Sequence, residues 1–151
     1  MREILFRGKR EDNGKWVEGY YGQFHNRPIH KGENSHQIFV LMEDATGFGS
    51  MIGGLWHEVV PETVGQYTGL IDKNRKKIFE GDIVDYKNNV VRFGKHDIGC
   101  CGCCYDSHQT VGFYISDTDD AIARADEEAW EGLEVIGNIY DNPELAKGGA
   151  E

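Results

Sequence analysis

The sequence predicts a mainly β protein made of small, curled sheets. Three observations lead there. Short apolar runs rich in Val, Ile, Phe and Tyr recur along the chain, with turn-forming residues between them. Glycine supplies 20 of the 151 residues and proline only 3. Average glycine usage is about 7%, so the excess indicates many tight turns rather than a disordered linker. Only residues 119–131 have helical character. A sheet this small tends to curl, and closing it into a barrel removes its exposed edges.

Residues 3–22 read as a β-hairpin. Ile4-Leu5-Phe6-Arg7-Gly8 forms one strand, Asp12-Asn13-Gly14 the turn, and Lys15 to Tyr21 the returning strand. Asn-Gly accepts the positive φ angles of a type I′ turn, whose twist suits paired strands. The period of two sets Trp16 and Tyr20 on one face, Val17 and Tyr21 on the other. Residues 24–36 are polar and read as a loop. Gln37 to Leu41 is a strand, and Gly47 to Gly54 a flexible glycine-rich stretch. Trp56 to Val60 is a strand that ends at Pro61, which has no N–H to give a ladder. Thr63 to Thr68 is the next strand.

Leu70-Ile71 leads into a turn at residues 72–76. Ile78 to Tyr86 enters a strand through a turn at Gly81, with Phe79, Ile83 and Val84 available for burial. Asn88-Asn89 is a second hairpin signal, before a strand at Val90 to Phe93. Val111 to Ile115 is a strand, and residues 119–131 form a short helix. Leu133 to Tyr140 is the last strand, stopped by Asn142-Pro143.

The formal net charge is −10, from 16 Lys and Arg against 26 Asp and Glu. It is not evenly spread. Residues 1–60 carry 7 basic and 8 acidic side chains, residues 61–99 carry 7 and 6, and residues 100–151 carry 2 and 12. Acidic surface is repelled by phosphates, so nucleic-acid binding would have to use the middle of the chain. The plain reading of the acidic third is a solvated surface. No apolar run reaches the ~18 residues of a transmembrane helix. The N-terminus has no apolar signal-peptide core. The expectation is a cytosolic protein with no membrane partner.

Candidate chemistry is sparse. Cys100, Cys101, Cys103 and Cys104 form a CCGCC cluster with two interleaved C-x-x-C pairs. That is a zinc-knuckle spacing, but a tetrahedral site draws its second pair from a distant segment. His96 and His108 are the nearest residues to complete one knuckle. A redox pair needs a thiolate of low pKa, often at a helix start, and no strong helix follows. The plain reading is a cysteine-rich loop with free thiols. Gly54 is followed by Leu55 and Trp56, not the Lys and hydroxyl of a phosphate loop. His57-Glu58 resembles a zinc-protease H-E-x-x-H, but Pro61 stands where the second His belongs. His25 and His30 share a polar loop. Lys73, Arg75, Lys76 and Lys77 make a basic turn able to touch phosphates.

Three blocks carry a family resemblance: the opening MREILFRGKREDNGKWVEGYYG, the central TVGQYTGLIDKNRKKIFEGDIV and the closing LEVIGNIYDNPEL. In this order they resemble the YopX family of phage and prophage proteins. The resemblance implies a β-rich fold whose C-terminal part is an SH3-like barrel, and a phage or prophage origin in a bacterial host. It brings no established activity and no catalytic residues. CCGCC lies outside all three blocks. The expected organisation is an N-terminal β-hairpin region over 1–60, an SH3-like β-barrel over 61–146 and a frayed tail over 147–151.

The expected function is a non-enzymatic interaction module, acting as a homo-oligomer or on a host protein. Three Trp, seven Tyr and seven Phe exceed the needs of one small core, and surplus aromatics anchor interfaces. The alternative is a nucleic-acid-binding accessory protein that uses the Lys73–Lys77 turn. A metal-dependent protein built on CCGCC is the third reading. No catalytic, cofactor-binding or metal-ligating residue is assigned.

Overall fold

A computed structural model describes residues 3–24, 35–41, 54–98, 108–116, 121–122, 130 and 132–146. The chain divides into two compact units, Met1–Tyr67 and Thr68–Glu151. The division falls beyond the boundary expected near residue 61, for a local reason. Lys9 N donates to Thr63 Oγ1 at 2.9 Å, and Tyr67 N donates to Leu5 O at 2.8 Å. Residues 61–67 are therefore held to the opening strand.

The first unit is an antiparallel sheet. Strands β1 (Phe6–Lys9), β2 (Trp16–Phe24), β3 (Ser35–Leu41) and β4 (Gly54–Glu58) lie in the order β4-β3-β2-β1, and the first residues of β5 (Gly65–Ile71) add to β1. The expected hairpin is β1–β2, with Arg7 opposite Glu18 and Lys9 opposite Trp16. Its turn is different. Only Gly14 takes a positive φ, 68°, and Arg10 N bonds Lys15 O at 2.9 Å. The loop is Glu11 to Gly14, not a two-residue Asn-Gly turn. Asn13 instead accepts Lys15 N on its side-chain Oδ1 at 2.9 Å, a local bond that Asn offers readily. β4 ends before Pro61, which opens a 3₁₀ turn (Pro61–Thr63). Among the described residues Leu5, Ile38, Val59 and Tyr67 are the unit's buried large apolar side chains.

In the second unit the last part of β5 neighbours β6 (Lys77–Phe79). Strands β7 (Asp82–Val84), β8 (Val90–Ile98), β9 (His108–Ser116), β10 (Ala121–Ile122) and β11 (Val135–Asn138) form an antiparallel sheet in the order β10-β9-β8-β7-β11. Both units are mainly β, as the sequence predicts. Among the described residues, strand pairing leaves this sheet open and does not close it into a barrel. Its core gathers Ile78, Val84, Val91, Ile115, Trp130 and Val135, with Leu70, Phe113 and Leu133 packed against them. Phe79, Ile83 and Val84 are buried as expected.

Two turns set the local path. Gly81 has φ 84°, and its N donates to Val91 O at 2.9 Å. Asp82 Oδ2 accepts Phe79 N at 2.8 Å across this turn. The turn expected at Gly81 thus separates β6 from β7. Lys87 and Asn88 both have positive φ, 52° and 55°, with Asn89 N bonding Tyr86 O at 3.1 Å. This is a type I′ geometry, one residue earlier than Asn88-Asn89. Ala121 and Ile122 pair with Ser116 and Ile115, so they lie in a strand where a helix was expected over 119–131. Backbone pairing to the edge of β9 prevails over a weak helical pattern; Trp130 is helical, and the rest of that range lies outside the described residues. After β11 the chain turns at Ile139-Tyr140. Pro143 then opens a one-turn helix, α1 (Pro143–Ala146), the position where its missing N–H costs nothing.

Candidate interaction surface

Register determines which side chains share a face of the first sheet. Residues paired across strands point the same way. Tyr20 lies opposite Phe39, Phe39 opposite Trp56, and Leu41 opposite Gly54. Phe24 follows on the same face by the period of two. Ile38, on the opposite face, is fully buried. The aromatic face is instead open: Tyr20 is 46% exposed, Phe24 38%, Leu41 52% and Trp56 49%. Sequence alternation places Tyr20 on the face of Trp16; only the strand register adds Phe39 and Trp56.

The rings hold one another. Phe24 meets Trp56 edge-on at 4.9 Å, and Phe39 meets it tilted at 4.8 Å. Such offset arrangements add about 0.5–1.5 kcal/mol beyond area burial. Gly54 makes the packing possible. A Cβ there would stand 2.1 Å from Phe39 Cζ and 2.8 Å from Val40 O. At the polar margin Gln37 faces Glu58. Glu58 Oε1 accepts Ser35 Oγ at 3.3 Å and Gln37 Nε2 at 3.4 Å.

Beside this face lies an open cleft of about 460 Å³, lined by Arg10, Glu11, Asp12, Trp56, His57 and Glu58. Backbone bonds frame it: Glu11 N donates to Glu58 O at 3.1 Å, and Val60 N to Lys9 O at 2.9 Å. Arg10 Nε donates to Asp12 Oδ1 at 2.9 Å, and its Nη2 pairs with Asp12 Oδ2. The Arg10 side chain holds the Asp12 carboxyl below the usual carboxylate range.

The basic turn sits in the second unit and is partly neutralised. Lys73 Nζ pairs with Glu134 Oε2 at 2.6 Å and Asp85 Oδ2 at 3.2 Å. These carboxylates raise the Lys73 pKa. Arg75 and Lys76 are exposed. Beneath them Asp72, 3% exposed, accepts Asn74 N and Lys76 N on Oδ1, both at 2.8 Å. Its Oδ2 accepts Val135 N at 3.1 Å. Burial alone would push the Asp72 pKa up, but the N–H groups of Lys76, Val135 and Asn74 prevail and lower it.

Cys100, Cys101, Cys103 and Cys104 lie outside the described residues, as do His25, His30 and Gly47 to Gly53. His96 is buried, its ring tilted against Tyr114 at 4.8 Å. In the backbone register it pairs with Thr110, and His108 pairs with Ile98. Among the described residues no group of His, Cys, Asp and Glu is placed to hold a metal ion, and no helix is long and apolar enough to cross a membrane.

Residues 5–147 match the family model described as YopX protein. The chain belongs to the YopX family. No curated protein matches it. In this YopX-family chain, the three resemblance blocks are framework. The opening block forms β1–β2, the central one holds Asp72 and the Gly81 turn, and the closing one supplies β11 and α1. Phe24, Phe39 and Trp56 lie outside all three blocks.

Proposed function

We propose that this YopX-family protein is a non-enzymatic interaction module, encoded by a phage or prophage and working in the host cytosol. Its partner is a second copy or a host protein. The exposed aromatic face of β2, β3 and β4 carries this reading. Contiguous exposed apolar surface marks interaction sites, and Trp and Tyr dominate binding energy where they are buried on association. Fully burying a large apolar side chain contributes roughly 1.5–3 kcal/mol. Charge supports the same location. Residues 1–60 carry 7 basic and 8 acidic side chains, so docking there avoids the acidic C-terminal third.

An SH3-like character of the second unit is part of the proposal. Its short antiparallel strands around one core are the inventory such a barrel uses. The nucleic-acid reading has less support, because Lys73 is engaged by Asp85 and Glu134. The test is sedimentation velocity of the wild type against a Tyr20→Ser/Trp56→Ala variant. The wild type is expected to sediment as an oligomer, or as a complex with a purified host protein, and the variant as a folded monomer. Association of the variant at wild-type strength overturns the reading.

A further inference from the structure

The cleft beside Trp56 combines a fixed aromatic wall with unbalanced negative charge. Trp56 is held by Phe24 and Phe39, at 4.9 and 4.8 Å, yet is 49% exposed. Arg10 is committed to Asp12 through two nitrogens. That pair is neutral, which leaves Glu11 and Glu58 as the cleft's surplus charge. Their backbones are joined, Glu11 N donating to Glu58 O at 3.1 Å, and both residues line the cleft. Among the described residues the Glu58 carboxylate receives long neutral bonds, 3.3 and 3.4 Å, so it retains accepting capacity for a stronger donor.

An aromatic ring flanked by carboxylates suits a planar cation. A guanidinium stacks on an indole face and presents paired N–H groups to a carboxylate. The same sheet face already contains one such contact, with Arg7 Cζ 4.9 Å from the Trp16 ring centroid. The volume, about 460 Å³, lies within the roughly 300–1,000 Å³ of ligand sites. We propose that this cleft is a receptor for an arginine side chain of the protein partner, stacked on Trp56 and paired with Glu58 and Glu11. This rests on the reading of the adjoining aromatic face as the docking surface. It adds a charge requirement to that reading: the partner presents arginine beside apolar residues.

The test is an NMR titration of ¹⁵N-labelled full chain with the peptide acetyl-Gly-Arg-Gly-amide, and with its neutral citrulline analogue. The arginine peptide is expected to shift the Trp56 indole N–H, and the citrulline peptide to leave it unmoved. Glu58→Gln is expected to weaken the arginine peptide by about tenfold, the scale of one lost charged contact, with the backbone spectrum retained. Trp56→Leu is expected to remove the response of neighbouring amides. Equal shifts from both peptides, or unchanged affinity in Glu58→Gln, overturn the arginine site. If no shift occurs while Tyr20→Ser/Trp56→Ala still abolishes wild-type association, the arginine site falls and the docking surface stands. If neither effect occurs, both fall.

Discussion

Asp72 Oδ2 accepts the backbone N–H of Val135 at 3.1 Å, and its Oδ1 accepts two N–H groups of its own turn at 2.8 Å. One buried carboxylate thus fixes the β5–β6 turn and docks it on β11. Lys73 N repeats the link by donating to Leu133 O at 2.9 Å. Asp72→Ala leaves three backbone donors without this acceptor. It is expected to destabilise the protein by roughly 2–4 kcal/mol, measured by urea denaturation. Asp72→Asn is expected to cost less, since Oδ1 can still accept while the amide N–H opposes Val135 N–H.

The same carboxylates make stability depend on pH. Asp85 is held below its ordinary value first by the Glu134 N–H, at 2.9 Å, and then by Lys73, against the effect of burial. Asp72 is also lowered. A depressed folded-state pKa stabilises fully above the unfolded value, here 3.8, and that stability is lost as pH falls through the folded value. Tm is therefore expected to fall below about pH 4. In Asp72→Ala/Asp85→Ala the fall is expected to be shallower. An equal slope in both proteins contradicts this assignment.

Gly81 combines a φ of 84° with close neighbours. A Cβ there would lie 3.3 Å from Tyr140 Cε2 and 3.6 Å from Ile139. Gly81→Ala is expected to cost roughly 1–3 kcal/mol by thermal denaturation. Gly14→Ala is the comparison: its φ is 68°, yet nothing lies within 4 Å of an added Cβ. Its cost is expected to be the smaller of the two.

Gly54→Ala acts on the aromatic face rather than on the fold's second unit. The new methyl would displace the Phe39 ring and press on Val40 O, so the support beneath Trp56 is lost. The expected result is a shifted Trp56 indole resonance and weakened association, at a stability cost of about 1–3 kcal/mol. Unchanged association would show that the arrangement of these rings is irrelevant to docking.

The parts of the fold set by local pattern were legible in the sequence. Alternation places Trp16 and Tyr20 on one face and Val17 and Tyr21 on the other, and the pairing of β1 and β2 follows it. Pro61 ends β4 because it lacks a donor. Contacts between distant segments were not legible. Nothing near Asp72 announces that Val135 will donate to it, because that bond spans 63 residues. The aromatic face needs the Tyr20–Phe39–Trp56 register, which no single strand reveals. His57-Glu58 has meaning by spacing only as a zinc motif; its place in the cleft depends on Glu11 bonding beside Glu58. Ala121-Ile122 joins β9 as a strand because an edge was available, which a helical pattern cannot report.

The docking role of the aromatic face is tested most directly by site-specific photo-cross-linking in bacterial cells that express the protein. p-Benzoylphenylalanine replaces Tyr20 in one protein and exposed Glu62, outside the face, in another. The account predicts a discrete adduct from position 20, either twice the chain mass or one defined cellular protein, that disappears when Trp56→Ala is added. Position 62 is predicted to give none. No discrete adduct from position 20, or the same adducts from both positions, would contradict it.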